Sequence, residues 1–380
     1  MNNTVEKLTN LGYLLLLCFL FSCSTGNKIQ QKTSLRTAKD KQNTIPYSKM
    51  ALKADFVGTA IANPDWFNWG ASPIEGEDGK IHIFGARWPA VEGMGGWTGP
   101  NAEIAHFVSD SPEGPFKYVG SILNTSMLSD KSTMSAPHNP RLEKVDGKYI
   151  MLFILQNPSV GSKGMHIRMM IADELDGPWR FAGDNEGFMV KPSDDPNHWT
   201  YQAAIGADNP AFQKIDDKYY IYYKCGTPEH MKAKYGYAVS DKLEGPYTLC
   251  DAPITDNVSY LEDAQAFNCN GKYYLITTDN LGGNTGIYGD LILWESATGL
   301  DFKLADAKIA MGNIFDYWGT EADHKALRDK GGYFVRDETG KLERPAVLMQ
   351  KGKPTYLYAP ADVNINGGKV SESYIFKIHW

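Results

Sequence analysis

The residues best suited to acid–base chemistry stand at the beginnings of five short, similar segments of the chain. A hydroxyl, several carboxylates, an imidazole and a guanidinium occupy these positions: Ser72, His138, Asp208, Glu262 with Asp263, and Glu343 with Arg344. Proline follows in four of the segments: Pro73, Pro140, Pro210 and Pro345. Because crowded carboxylates raise the pKa of one another, one can hold a proton while its neighbour is ionised. The set indicates acid–base catalysis, and the alternative is a ring of ion pairs that only joins structural elements.

Each of these segments leads into the same hairpin. A tight turn carrying a lysine follows every segment, and a strand of apolar and aromatic residues follows every turn; the turn lysines are Lys80, Lys148, Lys218, Lys272 and Lys353. Small antiparallel units of this kind cannot bury both of their faces alone, and radial packing about an axis lets them do so. The repeats therefore predict an all-β fold, a five-bladed β-propeller, with the five segments meeting around its axis. A β-sandwich is the alternative.

The N-terminal part of the chain has the pattern of an export signal. Residues 1–23 contain an apolar run of eleven residues, from Leu11 to Phe21, which is too short to span a bilayer. The run ends in Leu-Phe-Ser-Cys, which resembles the lipobox of bacterial lipoproteins and implies lipidation of Cys23. An ordinary secretory signal is the alternative. Residues 24–48 are predicted to be a flexible tether, and residues 49–380 the propeller domain.

Charge and cysteine content limit the partners. The formal charge of −7 argues against nucleic acid as a partner, and contact with a membrane is expected only through the lipid anchor. No acidic cluster follows Cys23, so the periplasmic face is favoured over the outer surface. Cys225, Cys250 and Cys269 match no zinc-site spacing, and free buried thiols are expected. No cofactor is expected, although a structural ion near the axis is compatible with the acidic ring.

The strand-start motifs resemble those of five-bladed propeller glycoside hydrolases, in particular families 43 and 117. Glu262, in Leu-Glu-Asp-Ala, matches the general acid that opens the fourth blade in family 43. Asp208, in Asp-Asn-Pro, matches the third-blade aspartate that tunes that acid, displaced by one residue. The family's blade-one base has no counterpart in Gly-Ala-Ser-Pro at residues 70–73, and Asp65, just upstream, is the expected substitute. Asp263 and Glu343 are the other candidates for the base.

The resemblance implies a glycoside hydrolase that acts on a plant or algal poly- or oligosaccharide from a chain end. The expected catalytic residues are Glu262, Asp208 and Asp65. The residues expected to bind the sugar combine charged groups with flat aromatic faces: Asp263, Glu343, Arg344, His138, Arg87, Trp66, Trp69, Trp88 and Trp97. A glycoside phosphorylase and a glycan-binding propeller without catalytic activity are the alternatives, the latter suggested by the absent blade-one aspartate.

Overall fold

The predicted hairpins are present in the computed structural model, which describes residues 45, 51–129, 136–157, 160–226, 232–330 and 340–380. The signal segment with Cys23, and all of the tether except Ile45, lie outside the described residues. None of the helices in the part of the chain that the structure describes has the length and apolar character needed to cross a bilayer.

Strands account for most of the regular structure within these ranges. They are β1 (Lys53–Ile61), β2 (Trp66–Glu75), β3 (Ile81–Pro89), β4 (Glu103–Ser109), β5 (Lys117–Asn124), β6 (His138–Val145), β7 (Lys148–Leu155), β8 (His166–Ala172), β9 (Arg180–Phe181), β10 (Phe188–Val190), β11 (Asp208–Ile215), β12 (Lys218–Cys225), β13 (Lys234–Ser240), β14 (Thr248–Leu249), β15 (Leu261–Cys269), β16 (Lys272–Asp279), β17 (Leu291–Ser296), β18 (Lys308–Met311), β19 (Ala346–Gln350), β20 (Lys353–Pro360) and β21 (Ser373–His379). The α-helix α1 spans Glu321–Lys330, and short 3₁₀ turns span Ala90–Glu92, Met94–Thr98, Thr125–Met127, Gly161–Gly164 and Ile314–Asp316.

The strands form five antiparallel sheets, which are the five predicted blades. Blade 1 contains β2 to β5, blade 2 contains β6 to β10, blade 3 contains β11 to β14, and blade 4 contains β15 to β18. Blade 5 contains β19, β20 and β21, followed by β1 as its outermost strand. The all-β, five-bladed prediction is confirmed.

Pairing of the N-terminal and C-terminal strands closes the propeller. Strand β1 runs antiparallel to β21, from Lys53 opposite His379 to Ile61 opposite Ser373. The last blade is therefore built from both ends of the described domain. Closure of this kind leaves only short strand edges exposed.

Alternating residues of one strand pack against two different blades, which explains why the strands are apolar on both faces. In β7, Ile150, Leu152 and Ile154 belong to the cluster that includes Ile221 and Tyr223 of blade 3. The intervening β7 residues, Met151, Phe153 and Leu155, pack with Phe84 and Ile104 of blade 1. The apolar core therefore lies between blades.

The turn lysines lie at the tips of the hairpins, as predicted. Three of them form ion pairs with an acidic residue that directly follows the third strand of the same blade: Lys80 with Asp110, Lys148 with Asp173, and Lys218 with Asp241. Lys272 pairs with Glu295, near the end of β17. The lysine side chains are about half exposed, so these pairs contribute little to stability. They mark equivalent positions at the end of the propeller opposite the strand starts.

Candidate active site at the propeller axis

The innermost strand of every blade begins with the same backbone irregularity. In blades 1 to 4 the pairing register jumps by one residue, between Trp69 and Ser72, His138 and Arg141, Asp208 and Ala211, and Glu262 and Gln265. At the start of this strand one residue of each blade adopts a left-handed conformation, with φ of 78° at Gly70, 56° at Asn139, 44° at Asn209, 62° at Asp263 and 43° at Arg344. These five are called the bulge residues. The residues just before them, the ring residues, are Trp69, His138, Asp208, Glu262 and Glu343, and all five line one cavity at the axis.

The bulge shows that the sequence analysis chose the wrong residue for the ring position of blade 1. Ser72 was expected at the ring position, but it lies three residues further along the strand, where it is buried and its Oγ accepts a hydrogen bond from the backbone N–H of Leu142 (2.9 Å). Pro73 is likewise two residues beyond the position of Pro140 in blade 2. The ring residue of blade 1 is Trp69. An aromatic ring thus stands where the resemblance led us to look for a carboxylate.

The axial cavity, defined by the five ring residues and their neighbours, has a volume of about 220 Å³. Blades 1 and 2 and the loop that leads into blade 3 supply its apolar lining: Trp69, Met94, Trp97, Ile154, Met165 and Ile205. Blades 3, 4 and 5 supply its charged lining: Asp208, Lys224, Glu262, Asp263 and Glu343. The cavity therefore has an aromatic side and a charged side, a combination suited to a sugar ring with one flat apolar face.

One buried lysine joins the ring residues of blades 3 and 4. Nζ of Lys224, on β12, lies 3.0 Å from Oδ2 of Asp208 and 3.0 Å from Oε1 of Glu262. The aromatic ring of Tyr260 lies 5.2 Å from the same nitrogen. Burial alone would lower the pKa of Lys224, but the two carboxylates outweigh it and raise the pKa well above its usual value. Lys224 is therefore charged and holds both carboxylates beside the cavity.

A second lysine supports the ring residue of blade 5. Nζ of Lys341 lies 2.5 Å from Oε1 of Glu343 and donates to Oδ1 of Asn280 (2.7 Å). Burial raises the pKa of Glu343, Lys341 opposes the shift, and the negative charges of Asp263 and Glu262 add to it. Oxygens of Glu262, Asp263 and Glu343 lie within 4.8 Å of one another, so ionising all three is unfavourable. The raised pKa of Glu343 agrees with this crowding.

The bulge residues of blades 3 and 5, Asn209 and Arg344, donate hydrogen bonds to the carboxylate of Asp263. Its Oδ1 accepts from NH1 of Arg344 (3.0 Å) and from Nδ2 of Asn209 (2.5 Å), and its Oδ2 accepts from the backbone N–H of Arg344 (3.1 Å). Arg344 is only 2% exposed and is not among the residues that line the cavity. The expectation that Arg344 binds the sugar directly is therefore not supported; its contacts place it as a support for Asp263.

His138 lies between the aromatic and charged sides. Its ring is 5.1 Å from the ring of Trp97 and 5.6 Å from that of Trp88. Burial, together with the positive charge of Arg344, lowers the pKa of His138 to about 3. His138 is neutral at pH 7 and can offer the cavity a hydrogen bond rather than a charge.

The structure brings only some of the predicted aromatic residues to the cavity. Trp69 and Trp97 line it. Trp88 is fully buried and donates its indole N–H to the carbonyl of Gly93 (2.8 Å). Trp66 packs 4.2 Å from the guanidinium of Arg87.

Arg87 and Asp65 are also absent from the cavity lining. Arg87 pairs with Glu103 (2.6 Å) and lies 3.8 Å from the ring of Tyr118. Asp65 is exposed in the turn before β2. Sugar contacts by Trp66, Trp88 and Arg87, and a base at Asp65, are therefore not supported by their positions.

Lys224 and Lys341 were not found by sequence reasoning. Lys224 ends a run of tyrosines in β12 and looks like the exposed end of a strand, although it pairs directly opposite Asp208. Lys341 precedes Glu343 by two residues in an irregular segment. A signal for Lys224 was available, because the equivalent positions of the other blades carry Ala86, Ile154, Thr278 and Pro360.

Two groups of side chains among the described residues have donor atoms close enough to hold a metal ion. One is Glu262, Asp263 and Glu343 in the axial cavity. The other is His82, His106 and Asp176, where blade 1 meets blade 2. In the second group Nδ1 of His82 and Nε2 of His106 are 2.8 Å apart and share a hydrogen bond. Burial lowers the pKa of His106 to about 4, so His106 is neutral at pH 7.

Comparisons with known proteins support the architecture. No protein-family model and no curated protein sequence matches the chain. Among solved structures, a family 117 glycoside hydrolase from the marine bacterium Zobellia galactanivorans is similar, with 16% identity, a TM-score of 0.59, and coverage of 86% of this chain and 90% of that one.

Two family 43 enzymes are also similar. A β-xylosidase/α-arabinofuranosidase from a compost metagenome, solved with xylotriose, has 15% identity, a TM-score of 0.55, and coverage of 87% of this chain and 94% of that one. An endo-arabinanase from Bacillus licheniformis has 14% identity, a TM-score of 0.54, and coverage of 85% and 97%. At such identities the likeness establishes the fold. The chain has the five-bladed propeller architecture of glycoside hydrolases of families 43 and 117.

Proposed function

We propose that this protein is a glycoside hydrolase whose axial cavity binds the terminal ring of an oligosaccharide. The observation that carries the proposal is the close set of carboxylates at the axis, with oxygens of Glu262, Asp263 and Glu343 within 4.8 Å of one another, opposite an aromatic lining. Glycosidic bond cleavage needs one protonated and one ionised carboxyl group beside the same bond. The fold shared with families 43 and 117 supports the same class of reaction.

In this proposal Glu343 is the proton donor. Its pKa is raised by burial and by Asp263 and Glu262, which is the condition that keeps a carboxylic acid protonated until the bond breaks. Glu262, which forms an ion pair with Lys224, is the ionised partner; Glu343 also pairs with a lysine, Lys341, but burial and the neighbouring carboxylates outweigh that pair and raise its pKa. Asp208 shares that lysine and fixes its position. The family resemblance favoured Glu262 as the acid and Asp208 as its tuning residue, and variants of the two glutamates separate the two assignments.

The size of the cavity supports action from a chain end. About 220 Å³ is small compared with the ~300–1,000 Å³ typical of small-molecule sites, and it suits one sugar ring better than the middle of a chain. Trp69 and Trp97 would stack against the apolar face of that ring. Plant or algal poly- and oligosaccharides are the proposed substrates, in keeping with the xylotriose bound by the compost-metagenome enzyme.

The proposal is tested by incubating the protein with xylo-, arabino- and agar-derived oligosaccharides and measuring new reducing ends. We expect release of a single terminal sugar from at least one series, and none from the Glu262→Gln/Glu343→Gln double variant. Turnover that requires inorganic phosphate would instead identify a phosphorylase. Binding without any release would identify the glycan-binding alternative, which the presence of Trp69 at the blade-one ring position favours.

We further propose that the protein is exported and anchored through an acylated Cys23, with the propeller on the periplasmic side. The support is the Leu-Phe-Ser-Cys sequence at the end of the apolar run. Cys23→Ser should move the protein from the membrane fraction to the soluble fraction. Unchanged fractionation would contradict the anchor.

A further inference from the structure

A second concavity, of about 680 Å³, adjoins the axial cavity. It is called the outer groove and lies over blade 2 and the loop between blades 2 and 3, at Lys163, Met165, Phe188, Lys191 and Tyr201. Met165 lines both spaces. Ser162 lines the cavity while Lys163 and Gly164, the next two residues, line the groove, so the two spaces are neighbours along this segment.

The outer groove is built on fixed side chains. The ring of Phe188 stacks on His166 with centroids 5.2 Å apart. His166 is 8% exposed, its Nδ1 donates to the carbonyl of Gly164 (3.0 Å), and its Nε2 accepts from Nε of Arg168 (3.1 Å). The backbone N–H of Gly206 donates to the carbonyl of Ser162 (2.9 Å). This hydrogen bond joins the segment before β8 to the segment before β11. A preformed floor with apolar and aromatic surface is typical of a site for small molecules.

The charges at the outer groove contrast with those of the axial cavity. The cavity carries four carboxylates, Asp208, Glu262, Asp263 and Glu343, against one lining lysine. The groove carries Lys163 and Lys191 against one carboxylate, Asp194. The Lys191–Asp194 pair is an exposed contact three residues apart, with an 85% exposed aspartate, and such pairs are weak enough for a ligand anion to displace. His166 adds no charge at pH 7, because burial lowers its pKa to about 4.

We propose that the outer groove binds the leaving-group end of an acidic oligosaccharide, with Lys163 and Lys191 recognising a carboxylate or sulfate group on it. The sugar that enters the axial cavity would be neutral, because the carboxylates there repel an anion. The units beyond the cleaved bond would lie over Met165, Phe188 and Tyr201. The direction of binding rests on the proposed glycosidase function, whereas the binding itself does not.

The test measures binding by calorimetry at low and high salt, with the Glu343→Gln variant used to prevent turnover. Three series of one to five units serve as probes: oligogalacturonides, which carry carboxylates, carrageenan oligosaccharides, which carry sulfates, and neutral xylo-oligosaccharides. We expect at least one acidic series to bind more tightly as it lengthens to about three units, with affinity falling as salt rises. The acidic series that binds identifies which anionic group is recognised.

Lysine variants link this binding to the groove. Lys163→Gln combined with Lys191→Gln should weaken binding of the acidic series about tenfold. The matched control is Lys218→Gln with Lys272→Gln, at exposed hairpin tips, which should leave binding unchanged. Equal affinity for neutral and acidic series, or unchanged binding by the groove variant, would overturn the proposal. If the acidic series binds tightly through the lysines but the wild-type protein does not hydrolyse it, the proposed binding in the outer groove is supported and the proposed glycoside hydrolase function is contradicted.

Discussion

Blades 1 and 4 begin their innermost strands with the same bulge, but the two strands bring different chemistry to the axis. In blade 1 the ring residue is Trp69 and the bulge residue is Gly70. In blade 4 they are Glu262 and Asp263, both of them carboxylates in contact with a buried cation. The backbone therefore fixes where a side chain enters the cavity, and the residue type alone decides whether that position stacks against a ligand or exchanges protons with it.

The same contrast divides the whole cavity. Blades 1 and 2 present aromatic and aliphatic side chains with a neutral His138, and blades 3 to 5 present carboxylates braced by Lys224 and Lys341. A sugar ring stacked on the aromatic side of the cavity would turn its hydroxyl groups toward the carboxylates of the charged side. Variants on the charged side should impair catalysis, whereas variants on the aromatic side should impair binding.

The largest effect is expected from Glu343→Gln. The amide keeps the shape of the side chain but cannot give up a proton, so turnover of a natural oligosaccharide should fall by ~10²–10⁴. Binding should change little. Initial rates and calorimetric affinities measure the two quantities, and Glu295→Gln, in an exposed pair with Lys272, is the matched control. A variant with wild-type turnover would remove Glu343 from the mechanism.

Lys224→Met should reduce both stability and turnover. It leaves Asp208 and Glu262 without their shared cation, and losing one partner of a buried ion pair costs about 3–5 kcal/mol in the free energy of unfolding. Urea denaturation measures this cost. The control is Lys272→Met, at an exposed hairpin tip, for which no resolvable change is expected. Equal effects of the two substitutions would contradict a special role for Lys224.

Trp69→Ala should weaken sugar binding about tenfold while leaving the turnover of bound substrate within a few-fold of wild type. The reason is that Trp69 lines the aromatic side of the cavity, and its indole ring has no proton to exchange with the glycosidic bond. Trp66→Ala is the matched control, because Trp66 packs on Arg87 away from the cavity. A large loss of turnover at saturating substrate would show that the two sides are not separable.

The smallest effect concerns His138 and depends on pH. Its pKa is about 3 in the folded protein and about 6.5 when unfolded, so the unfolded chain binds one more proton between these values. The contribution of neutral His138 to the free energy of unfolding is therefore fully present above pH 6.5 and is lost as the pH falls toward 3. Between pH 6 and 4.5, His138→Gln should reduce the slope of unfolding free energy against pH by about one proton, or ~1.4 kcal/mol per pH unit. An unchanged slope would mean that His138 is protonated in the folded state.

The propeller could be predicted from sequence because it depends on a local pattern repeated five times. Each of the five turn lysines and each of the five apolar second strands supported the same number of blades. Closure by β1 could not be predicted in this way, since residues 53–61 carry no copy of the hairpin and their pairing with β21 is set by distant contacts.

The site was predicted in part. Asp208, Glu262, Asp263, Glu343, His138, Trp69 and Trp97 all line the cavity. The ring position of blade 1 was assigned wrongly because its proline, Pro73, does not occupy the position of Pro140 and Pro210. The feature that all five strand starts share is a residue in the left-handed conformation. Gly70, Asn139, Asn209 and Asp263 are residue types that favour this conformation, but Arg344 is not, so the pattern is hard to read without coordinates. The supporting lysines depend on cross-strand register, which the chain order does not reveal.

The most direct test of the account compares Glu343→Gln and Glu262→Gln on two substrates, a natural oligosaccharide and an aryl glycoside of the same sugar with an activated leaving group. An activated leaving group needs no proton, so a variant that lacks only the acid recovers on it, whereas a variant that lacks the ionised carboxylate does not. If Glu343 is the proton donor, Glu343→Gln should regain most of the wild-type rate on the aryl glycoside and Glu262→Gln should stay inactive on both substrates. Recovery by Glu262→Gln, with none by Glu343→Gln, would contradict this assignment and restore Glu262 as the acid.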